Sequence, residues 1–89
     1  RFLDLCAGTG AIGIEALSRG AAHATFVDIS RKACGLIEAN LDLLEIPEEE
    51  TEVVCADAEE FLKKAQTRGD GWDIVFYDPP YHTNYVWVL

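Results

Sequence analysis

Methionine is absent from the 89 residues, lysine and arginine together number 7 against 16 aspartates and glutamates, and the 3 cysteines include no C-x-x-C pair. Each scarcity excludes something. So few cysteines at such spacing make neither a disulfide framework nor a zinc ribbon, which points to a reducing, cytoplasmic setting and no bound metal. No apolar run approaches the ~20 residues that span a bilayer. Arg19, Asp28 and Arg31 interrupt every early apolar stretch, so no signal peptide is expected either. What remains is 49% apolar and 26% charged, a globular composition rather than a disordered one. The length allows one domain at most. The chain opens in one apolar run, Arg1 to Cys6, and stops in another, Tyr85 to Leu89. With methionine missing as well, residues 1–89 are expected to be an internal section of a longer α/β protein, a single, partial domain.

Short β-rich runs alternate with helical ones. Phe2–Cys6 reads as a first strand, followed by the turn Gly8-Thr9-Gly10 and a helix over Ala11–Arg19 with Ile12, Ala16 and Leu17 on one face, stopped by Gly20. Ala24–Ile29 is a second strand. Ser30 is a good N-cap for a helix to about Leu44, whose inward stripe is Ala33, Ile37, Leu41 and Leu44. Pro47 and Glu48-Glu49-Glu50 connect to a third strand, Glu52–Ala56. Asp57 caps a third helix, with Glu60 completing a capping box and Phe61, Leu62 and Ala65 facing inward. Trp72–Tyr77 is a fourth strand, running into Asp78-Pro79-Pro80-Tyr81. The order β-α-β-α-β-α-β implies right-handed crossovers and a parallel sheet with ligands at the carboxyl ends of its strands.

The chemistry-bearing residues collect at those ends. Gly8-Thr9-Gly10-Ala11-Ile12-Gly13 matches G-x-G-x-x-G, in which glycine lets a ligand approach the backbone. The plain alternative is a tight turn, with Gly13 letting the helix sit close on the sheet. Asp28, twenty positions after Gly8, ends strand two, where a carboxylate can take both hydroxyls of an adenosine ribose. Together these favour a nucleoside cofactor, NAD or S-adenosylmethionine. Three features separate the two. Asp4, inside strand one, suits an ammonium and a sulfonium and is awkward beside a pyrophosphate. Asp57 can take a hydrogen bond from an adenine amino group, although a helix N-cap explains it equally well. Hydride transfer has no use for Asp-Pro-Pro-Tyr. No Lys-Ser/Thr follows the glycines, which excludes a Walker loop.

Two consecutive prolines at a strand end fix φ and remove two N–H donors, leaving rigidly aimed carbonyls. An exocyclic base amine is a poor nucleophile because its lone pair is conjugated into the ring. Hydrogen bonds from its N–H groups to the Asp78 carboxylate and the Pro79 carbonyl would hold it toward a methyl donor, and positioning of this kind supplies much of a rate. Tyr81 offers a face for stacking a flipped-out base, worth ~1–3 kcal/mol. The plain alternative is a rigid strand-end turn with an aromatic anchor.

The run from Asp4 to Ala21, Val27-Asp28, and Trp72 to Tyr81 resemble class I S-adenosylmethionine-dependent methyltransferases. The Glu15-to-Gly20 segment is most similar to the bacterial enzymes that methylate a guanine N2 in small-subunit ribosomal RNA. The resemblance implies a Rossmann-like fold with strand order 3-2-1-4 here and helices on both faces. It implies that Asp4, Ala7, Gly8, Thr9 and Gly10 face the methionine end of the cofactor, Asp28 and Ile29 the ribose, and Asp57 and Ala58 the adenine. Asp78, Pro79, Pro80 and Tyr81 would then hold the base, with ribosomal RNA as partner through segments outside this chain. Competing readings are a DNA adenine-N6 methyltransferase, an NAD-binding domain, and a catalytically silent binding module. The acidic charge is a departure, since phosphates need Lys/Arg. Strand four is expected at the edge of the four-stranded section but central in the complete sheet, as its nearly continuous apolar run suits, and Cys34 and Cys55 are expected as buried small apolar groups.

Overall fold

The computed structural model describes residues 1–77 and the backbone of 85–88. Four strands lie parallel: β1 (Phe2–Leu5), β2 (Ala24–Asp28), β3 (Thr51–Cys55) and β4 (Ile74–Tyr77). A fifth, β5 (Tyr85–Val88), pairs antiparallel with β4, and the sheet order is β3-β2-β1-β4-β5. The expected 3-2-1-4 section is therefore present, and β5 covers the side of β4 away from β1, which places β4 inside the sheet as expected of the complete protein. Helices α1 (Ala11–Ser18), α2 (Arg31–Leu43) and α3 (Ala58–Arg68) make the crossovers.

Alternation along the strands divides the core between the two faces of the sheet. Leu3, Leu5, Val27 and Val75 meet Phe61 and Ala65 of α3 on one face. Phe2, Ala24 and Phe26 meet Ile37 and Leu41 of α2 on the other, with Ile14 and Leu17 of α1 packed beside them. Both faces of the inner strands are thus covered, as a parallel sheet requires. Thr25 is fully buried, and its Oγ1 accepts a hydrogen bond from Nε1 of Trp72 at 3.3 Å. Trp72 also stacks obliquely on Phe61, with ring centroids 5.6 Å apart. That packing explains why β4 starts at Ile74 and not at Trp72: the indole turns down onto α3 before the chain enters the sheet.

The helix ends follow their sequence signals. Ser30 caps α2, accepting from the Ala33 N–H at 3.2 Å, and one carboxylate oxygen of Asp57 accepts from the Glu59 and Glu60 N–H groups at 3.1 and 3.2 Å. At the end of α1, Arg19 Nε pairs with Glu15 at 2.6 Å, Ser18 donates to the Glu15 carbonyl, and Gly20 takes a left-handed φ of 106°. Three inward assignments fail. Ile12, Leu44 and Leu62 are exposed. α1 presents Gly13 to the sheet instead of Ile12, Leu44 falls past the last turn of α2, and α3 is narrow enough in contact that Phe61 and Ala65 fill it.

Gly13 sets the height of α1 above the sheet. A Cβ there would stand 2.4 Å from Cε2 of Phe26, and Phe26 has no solvent exposure into which its ring can retreat. Gly13→Ala gains ~1 kcal/mol in helix propensity but forces overpacking that costs about 1–3 kcal/mol. The clash prevails, so the variant of the complete protein is expected to unfold at lower urea concentration than wild type. An equal or higher midpoint would show that α1 moves freely on the sheet.

Candidate functional site

Three of the five residues from Cys6 to Gly10 adopt left-handed backbone: Cys6 at φ 62°, Gly8 at 60° and Gly10 at 84°. The chain leaves β1 and coils tightly before entering α1, with the Ala7 N–H on the Val27 carbonyl and the Gly10 N–H on the Ala7 carbonyl, both at 2.9 Å. At Gly10 a Cβ would crowd Ile37 of α2 at 3.3 Å, whereas at Gly8 it would meet nothing within 4 Å. The loop is therefore packed on one side and open at Gly8. A cysteine in the left-handed region costs on the order of 1–2 kcal/mol, and the turn imposes it.

Asp28 sits at the hub. Its Oδ2 accepts from the Gly8 N–H and its Oδ1 from the Ser30 N–H, both at 2.9 Å. Its own carbonyl accepts from the Ala56 N–H at 3.0 Å, so the ends of β2 and β3 lie side by side. One carboxylate thus links the glycine loop to the start of α2. Lone pairs remain on both oxygens for a further donor, since a carboxylate offers about four acceptor sites. Next to it, Ile29 is 71% exposed, an apolar surface at the mouth of the site.

Asp4 lies beneath the loop. It is 1% exposed, on the sheet face that carries Phe2 and Phe26, and in register with Phe26 and Phe76. Asp57 follows β3 and Ala58 opens α3, half-buried against the core. The hydrogen bonds that Asp57 makes are those of an N-cap. The structure therefore brings Asp4, Ala7, Gly8, Thr9, Gly10, Asp28, Ile29, Asp57 and Ala58 to the carboxyl ends of three adjacent strands. Asp78, Pro79, Pro80 and Tyr81 fall outside the described residues. The residue before them, Tyr77, is level with Leu5, the last residue of β1.

Sequence reasoning missed Asn40, whose Nδ2 donates to the Thr9 carbonyl at 3.0 Å from 31 residues away. The signal was available: Asn40 is a polar residue three positions after Ile37 and one before Leu41, on the inward side of α2. It also simplified the cysteines. Cys34 is buried, its Sγ donating to the Asp28 and Val54 carbonyls at 3.4 and 3.8 Å. Cys55, expected to be buried, is exposed, with Sγ 3.6 Å from the Ile29 carbonyl. Among the described residues no cluster of three His, Cys, Asp or Glu side chains is arranged to hold a metal, and no helix is long and apolar enough to cross a membrane.

Burial, then the neighbouring Cys55 and Asp28, push the Cys34 thiol up to about 11. At pH 8 almost none of it is thiolate, the reactive form. Iodoacetamide is expected to label Cys55 first and Cys34 at least about tenfold more slowly, with Cys34 catching up as pH rises toward its raised pKa. Peptide mass mapping of a labelling time course checks the order, and prior labelling of Cys34 would contradict its placement.

Residues 1–88 match the family described as Conserved hypothetical protein 95. "Ribosomal RNA small subunit methyltransferase D" of Haemophilus influenzae is 39% identical over 82 residues, 92% of this chain and 42% of the relative. The chain thus spans less than half of that relative's length. The SAM-dependent methyltransferase structure from Agrobacterium tumefaciens superposes with a TM-score of 0.80 at 32% identity, covering 98% of this chain and 29% of that one. The structure of SMU.776 complexed with SAH gives a TM-score of 0.83 at 26% identity, over 89% of this chain and 21% of that one. The parallel 3-2-1-4 section agrees with these structural likenesses, and the chain belongs to the Conserved hypothetical protein 95 family.

Proposed function

We propose that the complete protein containing this chain is an S-adenosylmethionine-dependent methyltransferase acting on an exocyclic amine of a ribosomal RNA base, guanine N2 of small-subunit RNA. The observation that carries the reading is the grip of Asp28 on the glycine loop at the carboxyl edge of the sheet. Relatives named as small-subunit ribosomal RNA methyltransferases and a neighbour solved with SAH support the substrate and the cofactor.

The residues present fit that cofactor. Gly8 leaves open space on a left-handed backbone, Asp4 provides a carboxylate under the loop, and Ile29 offers apolar surface beside Asp28. When bound, S-adenosylmethionine supplies a methyl group on a positively charged sulfur. In this reading Asp28 receives the ribose hydroxyls on its remaining lone pairs while still holding Gly8. Asp4 faces the positive end, Ile29 packs on the nucleoside, and Asp57 and Ala58 flank the adenine. Asp78 and the Pro79 carbonyl accept the two N–H bonds of the target amine, and Tyr81 stacks on the base. Because methylation needs the lone pair of that amine, orientation rather than proton removal is the task of Asp78.

The acidic balance of this chain, 7 basic against 16 acidic residues, assigns phosphate contacts to other parts of the protein. The cytoplasm, where ribosomal RNA is made in bacteria, is the expected location.

Asp28→Ala removes the loop tie and the ribose acceptors together. Charge-assisted bonds contribute ~1.5–3 kcal/mol each, so calorimetry on the complete enzyme is expected to give S-adenosylmethionine binding weakened by at least about tenfold. An unchanged dissociation constant removes Asp28 from the site. Asp78→Ala is expected to behave oppositely, with cofactor affinity nearly unchanged and methyl transfer to small-subunit RNA lowered by a factor on the order of a hundred or more. Transfer from labelled cofactor to RNA and to duplex DNA, run side by side, decides the substrate. Labelling of DNA adenine alone would replace the RNA assignment.

A further inference from the structure

The peptide unit between Thr9 and Gly10 is held at both of its polar ends. Its carbonyl accepts from Asn40 Nδ2 at 3.0 Å, and its N–H donates to the Ala7 carbonyl at 2.9 Å. The second bond lies within the loop and moves with it. The first runs to α2, an element anchored in the core by Ile37 and Leu41. Glycine at position 10, at φ 84°, is the residue type for which turning such a peptide over costs least, because no Cβ resists it. The turn bond to Ala7 and the bond from Asn40 therefore select the orientation of this plane together, and the one that ties it to the rest of the fold comes from 31 residues away. The same helix supports the other side of the turn, since Ile37 lies 3.3 Å from the place a Gly10 Cβ would occupy. Asp28 fixes the preceding residue through the Gly8 N–H at 2.9 Å. The loop is thus clamped from β2 at Gly8 and from α2 at Thr9.

We propose that Asn40 is a positioning residue for the cofactor loop: its side-chain amide holds the Thr9–Gly10 peptide in the orientation that leaves the loop open at Gly8, and so sets the affinity for S-adenosylmethionine. The inference rests on the cofactor reading above. Asn40 touches the loop backbone and acts on the cofactor only through it, so its loss acts on binding and leaves the orientation of the target amine alone.

Two variants of the complete protein test this. Asn40→Leu keeps the side-chain volume near its present value and removes the donor. Losing one neutral hydrogen bond is expected to raise KM and the dissociation constant for S-adenosylmethionine about three- to tenfold, with kcat within about twofold and the cofactor-free melting temperature within about 4 °C of wild type. Asn40→Asp sets carboxylate oxygens against the Thr9 carbonyl, acceptor against acceptor. Burial and that carbonyl favour the protonated acid, which can donate again. Its binding defect is expected to exceed that of Asn40→Leu at pH 7.5 and to shrink relative to wild type at pH 5. A purely structural role for Asn40 predicts neither the pH-dependent recovery nor the separation of KM from kcat. Wild-type affinity in Asn40→Leu, or an Asn40→Asp defect of equal size at both pH values, overturns the assignment. If wild-type protein itself takes up no S-adenosylmethionine, the cofactor reading fails first and takes this inference with it.

Discussion

The glycine loop stands where it does because α1 lies on Phe26 with no side chain between them. Gly13 is the point of contact, and the ring it meets is enclosed on every side. A helix held that close starts low, so its first turn at Gly10 emerges directly above the end of β1 and within reach of α2. Raise the helix by one methyl group and the Gly8 N–H moves away from Asp28, as does the Thr9 carbonyl from Asn40. The distances of 2.9 and 3.0 Å at those two bonds depend on a packing contact that involves neither partner.

Much of this was legible in the residues. Strand alternation, caps at Ser30 and Asp57 and the stop at Gly20 are local signals, each with its own hydrogen bond or backbone conformation, and each survives in the structure. The loop and Asp28 were legible because spacing along a β-α-β unit fixes which strand ends are adjacent. Four features were not. Asn40 joins the loop only once α2 has folded back on it, and no local rule links it to position 9. Trp72 looked like strand because it is aromatic and follows a turn, but its indole is drawn to Thr25, 47 residues earlier. Cys55 looked buried by residue type, and its place at the exposed end of β3 decided otherwise. Leu44 and Leu62 fit a helical stripe, yet a stripe says which face is apolar and not how much of it a neighbour covers.

The polar chemistry is strongly one-sided. Asp4, Asp28 and Asp57 lie at one edge of the sheet. A cation is welcome there and a polyanion is not. Such an edge attracts the positive end of a ligand and repels phosphates.

The ties that shape the loop share one further property. Gly8 reaches position 28 and Thr9 reaches position 40, both in the first half of the chain, whereas Asp78 lies in the second. At about 5–20 residues per second, the β1-α1-β2-α2 segment is synthesised seconds before the Asp-Pro-Pro-Tyr segment. Parallel pairing is slow to form on its own, because each crossover closes a long loop before any contact rewards it. The ties that shape the loop thus close short stretches of chain, whereas β1 meets β4 only across the length of the domain, Phe2 lying opposite Ile74.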